Sequence, residues 1–202
     1  MITVYSESTP NPSAMKFVAS SMLLEDGIEE YFNAGETGNC KLAARLFEYP
    51  FVKSVFITAN FLSVHKTEDI EWFEVHNEIR QLVSDFLNNG EELFIGREVK
   101  NAVKEEMPRI KEPSAAANES DSIPGSMDEQ ITHLLNEYVR PAVESDGGAI
   151  QFKSYDEGKV TVTLRGACSG CPSSSLTLKS GIETLLKQML PGKITEVVAE
   201  EL

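Results

Sequence analysis

The first half of the chain alternates strand-like runs with amphipathic helical segments. Four short runs rich in apolar, β-branched and aromatic side chains are typical of strands, namely residues 2–5, 15–19, 52–58 and 61–66. The pair Ala59-Asn60 separates the last two runs and has the character of a turn. These two runs therefore predict a β-hairpin.

Two segments of this first half predict helices. Residues 41–48 form a short candidate. From Glu71 onward, apolar residues recur at helical spacing, at Trp72, Val75, Ile79, Leu82, Val83 and Phe86. Asn88-Asn89-Gly90 supplies a helix stop. Strands and helices together predict a small α+β domain.

Residues 107–126 interrupt the periodic pattern. The segment MPRIKEPSAAANESDSIPGS contains three prolines and many small polar residues, with no helical or strand periodicity. It predicts a flexible linker between an N-terminal domain, residues 1–106, and a C-terminal domain, residues 127–202. We expect the two domains to move semi-independently.

The C-terminal domain begins with a predicted helix. Ser126 or Asp128 can cap it, and its apolar face consists of Ile131, Leu134, Leu135 and Tyr138. We expect the helix to end at Arg140-Pro141, because proline disfavours a helical conformation in the residue before it.

The remainder of the domain predicts a turn, a hairpin, a second helix and a last strand. Asp146-Gly147-Gly148 marks the turn, and residues 149–155 and 159–165 alternate as strands joined through Glu157-Gly158. The second helix has an apolar stripe formed by Leu178, Ile182, Leu185, Leu186 and Met189. Residues 194–199 predict the closing strand. The chain is therefore expected to be α+β, with two small domains of mixed helices and strands.

The net charge and the number of cysteines restrict the expected partners and the expected compartment of the protein. Lys and Arg number 18 against 32 Asp and Glu, a net charge of −14. So acidic a surface repels phosphate backbones and anionic lipid, which argues against nucleic acid and membrane partners. Three cysteines in 202 residues suit a reducing compartment. The N-terminus resembles neither a signal nor a transit peptide, so we expect a cytoplasmic protein, although a processed organelle protein would share these features.

Two of the three cysteines lie three positions apart in RGACSGCPSSS. Cys168 and Cys171 fall in a predicted strand-to-helix loop, and Pro172 suits a helix start. The helix N-terminus and Arg165 would stabilise thiolates and an anionic group bound to them. Gly166 and Gly170 permit the backbone of the loop to approach such a group closely.

The thiol pair leaves several chemistries open. A thioredoxin-like dithiol oxidoreductase also places Cys-x-x-Cys at a helix start, but little chain follows Cys171 here. A structural zinc site needs four ligands, and the nearest histidine, His133, is expected to be solvated; His65 and His76 lie in the other domain. An iron–sulfur cluster needs four thiolates. Two chains, each contributing Cys168 and Cys171, supply them most economically, with Cys40 as a core or surface residue.

The cysteine loop carries a resemblance to a known family. RPAVESDGGAIQF followed by VTVTLRGACSGCPSS resembles the C-terminal domain of NifU-like (Nfu) iron–sulfur carrier proteins. The N-terminal half resembles the Nfu N-terminal domain more diffusely, through the TPNP of residues 9–12, Lys16-Phe17, residues 44–47 (ARLF), residues 52–56 and Trp72. The chain lacks the scaffold and ferredoxin-type domains of the long nitrogen-fixation NifU proteins, so a permanent redox cluster is not implied.

The resemblance implies a carrier rather than an enzyme. It implies a [4Fe-4S] cluster, with [2Fe-2S] as the alternative, bridged between two subunits through Cys168 and Cys171. The implied partners are an upstream cluster donor, apo iron–sulfur client proteins and a second copy of the chain. Residues 9–12 are interpreted as a structural turn, and Asp146-Gly147-Gly148 as a tight turn or as support for the cluster. The N-terminal domain is expected to recognise clients or donors.

Overall fold

The computed structural model describes residues 1–95, 126–169 and 172–201. Its helices and strands are mixed, and each of the two domains has a sheet of its own, as the sequence predicted. Most of the predicted linker, residues 107–125, and the end of the predicted N-terminal domain, residues 96–106, lie outside the described residues. The domain boundaries therefore stay a prediction.

The N-terminal domain is a five-stranded antiparallel sheet in the order β1-β2-β5-β4-β3. Its elements are β1 (Val4–Ser8), β2 (Ala14–Ala19), β3 (Ile28–Tyr31), a 3-10 helix (Ala34–Asn39), α1 (Lys41–Leu46), β4 (Val52–Thr58), β5 (Phe61–Lys66) and α2 (Trp72–Asn88). The predicted β4–β5 hairpin is confirmed, with Thr58 opposite Phe61. Strand β3 was not predicted, because two of the four residues in its sequence IEEY are glutamates.

One face of this sheet packs against α2. Glu71 and Glu74 form a capping box at the start of the helix. The ring of Trp72 lies edge-on to Phe17 of β2, with centroids 6.2 Å apart. The predicted apolar positions Val75, Ile79, Val83 and Phe86 are buried. The opposite face of the sheet is therefore free to contact something else.

The C-terminal domain has a three-stranded sheet in the order β6-β7-β8. Its elements are α3 (Met127–Leu134), a π-helical turn (Leu135–Val139), α4 (Arg140–Ser145), β6 (Gly148–Asp156), β7 (Lys159–Gly166), α5 (Pro172–Met189) and β8 (Glu196–Glu201). β6 and β7 are antiparallel, whereas β7 and β8 are parallel and are joined across α5. Ser126 caps α3, since its hydroxyl accepts a hydrogen bond from the Glu129 amide.

The predicted end of the first helix at Arg140-Pro141 is wrong. The helical path continues to Ser145, because the Arg140 amide donates to Leu135 O in a wide π-type turn and Pro141 falls in the first turn of α4. The wide turn accommodates the proline, which cannot donate a backbone hydrogen bond, within the continuing helical path. The same turn rotates Tyr138 outward, to 50% exposure, and places Val139 in the core. Tyr138 is therefore not part of the apolar face.

The two domains are packed together rather than separate. Phe56 and Phe61, on the sheet face turned away from α2, form a small apolar cluster with Ala149 of β6. Semi-independent domains were expected from the sequence, because no local pattern in either half signals this contact. None of the helices in the described part of the chain is long and apolar enough to cross a membrane.

Candidate functional site

The cysteine loop follows the middle strand of the C-terminal sheet. β7 ends at Gly166, whose φ of +63° turns the chain sharply. The Ala167 amide then donates to Gly147 O at 3.1 Å, and the Ser169 amide donates to Gly166 O at 2.9 Å. The loop is thereby anchored to the Asp146-Gly147-Gly148 turn. The second predicted ligand, Cys171, lies outside the described residues together with Gly170.

Cys168 is held against the core of the C-terminal domain. The residue is only 4% exposed, and its Sγ lies 4.0 Å from Val143 O on α4. It belongs to the same apolar cluster as Leu164 and Ile182. A group bound at this thiol would therefore sit at the edge of a packed core, which restricts water around it.

Gly148 makes room for the Cys168 thiol. A Cβ at position 148 would lie 2.6 Å from Cys168 Sγ and 2.7 Å from Arg165 O, too close for any side chain. The neighbouring Gly147 has φ of +82°, and a Cβ there would lie 2.9 Å from Ser63 Oγ. The sequence left two interpretations of this turn open. The structure brings the turn into direct contact with the predicted ligand.

Asn11 of the N-terminal domain reaches the cysteine loop. Its Nδ2 donates to Ala167 O at 3.1 Å and to Ser169 O at 3.3 Å, so it touches the residue on each side of Cys168. Its Oδ1 accepts from the Ser13 amide at 3.0 Å, which fixes the orientation of the side chain. The hydrogen-bonded turn runs from Asn11 to Ala14, so it overlaps residues 9–12 only in part, and Asn11 also contacts the candidate site.

Glu30 of β3 contacts the start of the same loop. Its Oε1 accepts from the Gly166 amide at 3.1 Å and its Oε2 from Arg165 Nη1 at 3.4 Å, while its side chain is 3% exposed. Burial raises the pKa of the Glu30 carboxyl, and the hydrogen bond from Gly166 and the Arg165 charge only partly oppose that rise. Arg165, expected to face the thiolates, is instead paired with this carboxylate.

Ser63 and Lys16 contact the Asp146-Gly147-Gly148 turn. Ser63 Oγ donates to Gly147 O at 2.6 Å, and Lys16 Nζ donates to Ser145 O at 3.3 Å. Lys16 also pairs with Glu7 at 3.3 Å and lies over the ring of Phe61. The sequence did not assign Glu30 or Ser63 to the site, and it gave Asn11 only a structural role in the turn of residues 9–12. The available signal for Glu30 and Ser63 was a polar residue that alternates with the apolar core along β3 and β5.

The remaining candidate ligands lie elsewhere. Cys40 is fully buried in the N-terminal core, where its Sγ accepts from the Ala43 amide at 3.4 Å and caps α1, and burial raises its pKa. His133 is half exposed and pairs with Glu137. His65 contacts Ser54 and His76 contacts Trp72 O. No three His, Cys, Asp or Glu side chains among the described residues are placed to hold a metal ion.

Comparison with known proteins agrees with this architecture. The family model "NifU-like domain" matches residues 131–198, and "Scaffold protein Nfu/NifU N terminal" matches residues 4–90. Both matches fall on the two domains described above.

Three relatives extend the similarity along nearly the whole chain. NifU-like protein 4, mitochondrial, of Arabidopsis thaliana is 36% identical over 91% of this chain and 61% of its own length. A NifU-like protein of Schizosaccharomyces pombe is 34% identical over 94% and 70%. The human NFU1 iron-sulfur cluster scaffold homolog, mitochondrial, is 32% identical over 93% and 68%. The chain thus spans about three fifths to seven tenths of these relatives. It belongs to the NifU-like (Nfu) family of iron–sulfur cluster scaffold proteins.

Proposed function

We propose that the chain is a carrier that binds a [4Fe-4S] cluster through Cys168 and Cys171 and transfers it to apo-proteins. The observation that carries this proposal is the direct approach of backbone to the Cys168 thiol at Gly148. Because Gly148 has no side chain, the backbone can lie directly beside the Cys168 thiol. Such a close approach suits a loop that wraps around an inorganic group. The family membership of the chain supports the same class of cargo.

The number of ligands requires two chains. A four-iron cluster takes four thiolates, and one loop offers Cys168 and Cys171. Cys40 is buried in the core of the other domain, with its Sγ used as a helix cap. Two subunits therefore share one cluster, and a [2Fe-2S] cluster with the same four thiolates is the alternative.

The surroundings of the loop favour a transferable cluster. Helix α5 begins at Pro172, directly after the loop, so its N-terminal dipole favours thiolates and an anionic cluster. Each subunit carries a net charge of −14, so two subunits that share an anionic cluster repel each other. Few bonds per subunit and mutual repulsion make the bridge weak, as a carrier needs.

The partners follow from this chemistry. An upstream donor supplies the cluster, and apo iron–sulfur clients remove it. The acidic charge disfavours nucleic acid and anionic membrane surfaces as partners. The sequence favours the cytoplasm, whereas the Arabidopsis and human relatives are named mitochondrial. Fractionation of cells that express the tagged chain decides the compartment.

Anaerobic reconstitution with iron and sulfide tests the ligands. The wild-type chain should become brown and hold about four irons per two chains. Cys168→Ala and Cys171→Ala should each abolish stable binding, because the pair of mutant subunits retains only two thiolates. Cys40→Ala is the matched control and should bind normally, with circular dichroism used to verify the fold. Retained cluster in either loop variant would overturn the assignment.

Sedimentation of anaerobic samples tests the bridge. Loaded protein should be dimeric, because a cluster that binds only the dimer shifts the monomer–dimer equilibrium toward the dimer. A strictly monomeric protein with a complete four-iron cluster contradicts the bridging model. The thioredoxin-like oxidoreductase is tested in parallel: reduction of disulfides by the iron-free chain, with loss in either loop variant, would support it in place of the carrier.

A further inference from the structure

We propose that the N-terminal domain is a clamp that binds the empty cysteine loop of its own chain and leaves it when a cluster is loaded. The clamp face is defined as Asn11, Lys16, Glu30, Phe56 and Ser63. Apart from Asn11, which lies in the β1–β2 turn, these residues alternate along their strands with core residues and so face away from α2. The proposal rests on the proposed role of Cys168 and Cys171 as cluster ligands.

Asn11 holds the loop on both sides of the predicted ligand. Its Nδ2 donates to the carbonyl oxygens of Ala167 and Ser169, with Cys168 between them. The residue is 6% exposed and its amide orientation is fixed by the Ser13 amide. These two hydrogen bonds from one buried amide restrain the backbone of the loop on both sides of Cys168.

Glu30 makes the contact sensitive to charge. Its buried carboxylate accepts from the Gly166 amide and pairs with Arg165. A cluster with four thiolates is anionic, so it repels this carboxylate and attracts the Arg165 guanidinium. Loading therefore weakens the pair that joins the domains, because it adds negative charge that the empty loop lacks.

Ser63, Lys16 and Phe56 complete the contact. Ser63 and Lys16 donate to carbonyl oxygens of the turn that supports the cysteine loop, at Gly147 and Ser145. The Phe56 ring lies so close to Gly166 that a Cβ there would approach it to 2.9 Å. The clamp face thus matches the loop and its supporting turn in hydrogen bonds and in shape.

The clamp and a second subunit compete for the same loop. A bridged cluster requires the Cys168 thiolate to face a second copy, yet Asn11 of the docked N-terminal domain bonds the residue on each side of Cys168. Docking and bridging therefore compete for the backbone around this thiol. The clamp shields the empty loop, and loading releases the N-terminal domain at the time when the carrier meets clients.

The apo half of the proposal is tested on the full chain by NMR. The Asn11→Ala/Ser63→Ala double variant removes hydrogen bonds to the loop and to its turn, and should shift the docking equilibrium by about tenfold or more. Backbone amide signals of Ile28, Glu30 and Gly166 should move from docked to undocked positions. Gln81→Ala is the control, because that side chain bonds Asp85 on the exposed face of α2, and should leave them unchanged. Unmoved signals in the double variant, with α2 signals intact, would overturn docking.

The same NMR signals test whether cluster loading releases the N-terminal domain. In cluster-loaded wild-type protein, the Ile28 and Glu30 signals should reach the positions seen in the apo double variant. The double variant should also take up cluster about tenfold faster, to the same final iron content. Signals that stay at docked positions after loading overturn the release step while the proposed function stands. A wild-type chain that binds no iron overturns the proposed function and the release step, but the apo comparison still decides docking.

Discussion

Gly148 and Cys168 lie so close that a Cβ at position 148 would come within 2.6 Å of the cysteine Sγ. The same Cβ would approach Arg165 O to 2.7 Å, and neither group can move freely, since Arg165 lies in β7 and the thiol packs in the core. This position therefore links the first strand of the C-terminal sheet to the placement of the candidate ligand.

Gly148→Ala should displace the Cys168 thiol and impair cluster binding. Backbone and core must shift to admit the methyl group, at a cost of about 1–3 kcal/mol in the free energy of unfolding. Urea unfolding gives the stability, and iron content after reconstitution gives the binding. Gly181→Ala is the control, because no atom of the described residues outside the helix backbone lies within 4 Å of a Cβ at that position. It should stabilise the chain by about 0.5–1 kcal/mol. Equal iron content in both variants would show that position 148 does not hold the ligand.

Gly166→Ala should destabilise the chain more than Gly192→Ala. Both glycines have positive φ, at +63° and +74°, so both substitutions cost about 1–2 kcal/mol of backbone strain. A Cβ at position 166 also meets the Phe56 ring and Gly147 O at 2.9 Å, whereas position 192 is open. We expect an additional loss of about 1–3 kcal/mol for Gly166→Ala in thermal or urea unfolding. Equal losses would mean that the contact between Phe56 and Gly166 is easily relieved.

His65 should make the N-terminal domain less stable in mild acid. Burial, aided by the Lys53 charge, lowers its pKa from 6.5 to about 4. The unfolded chain thus takes up a proton between these values and the folded chain does not, so stability falls as the pH drops from 6.5 toward 4. Between pH 7 and pH 5 this group should account for about 2 kcal/mol.

The measurement is urea unfolding at pH 7 and pH 5, followed by the fluorescence of Trp72, the single tryptophan of the chain. His65→Gln should lose that part of the pH dependence. His133→Gln alters a half-exposed histidine and should retain it. If His65→Gln loses as much unfolding free energy between pH 7 and pH 5 as the wild type, groups other than His65 cause the acid sensitivity.

Local patterns account for what the sequence predicted well. The β4–β5 hairpin follows from two strand-like runs around Ala59-Asn60, and α2 from the recurrence that starts at Trp72. The position of Cys168 between a strand and a helix follows from alternation before it and Pro172 after it. All of these signals lie within a few residues of the feature that they predict.

The misses depend on partners far along the chain. Asn11 meets Ala167 at a separation of 156 residues, and Ser63 meets Gly147 at 84, so no window of sequence contains both groups. In the sequence, Pro141 indicates a helix end. The helix continues because a wide turn accommodates the proline, and that turn depends on the packing of Val139 and Val143 in the core. Strand β3 was not predicted, because a glutamate at position 30 disfavours a buried strand. Its carboxylate is stabilised there by Arg165 and Gly166, which lie far along the chain.

The parallel pairing of β7 with β8 sets the order in which the chain can assemble. Because α5 must cross over before β8 can pair, β7 and the cysteine loop leave the ribosome ahead of the strand that completes their sheet. The N-terminal domain is synthesised earlier and can fold first. A newborn chain therefore has its clamp face formed when the thiols emerge, and they meet a folded partner before their own domain is closed.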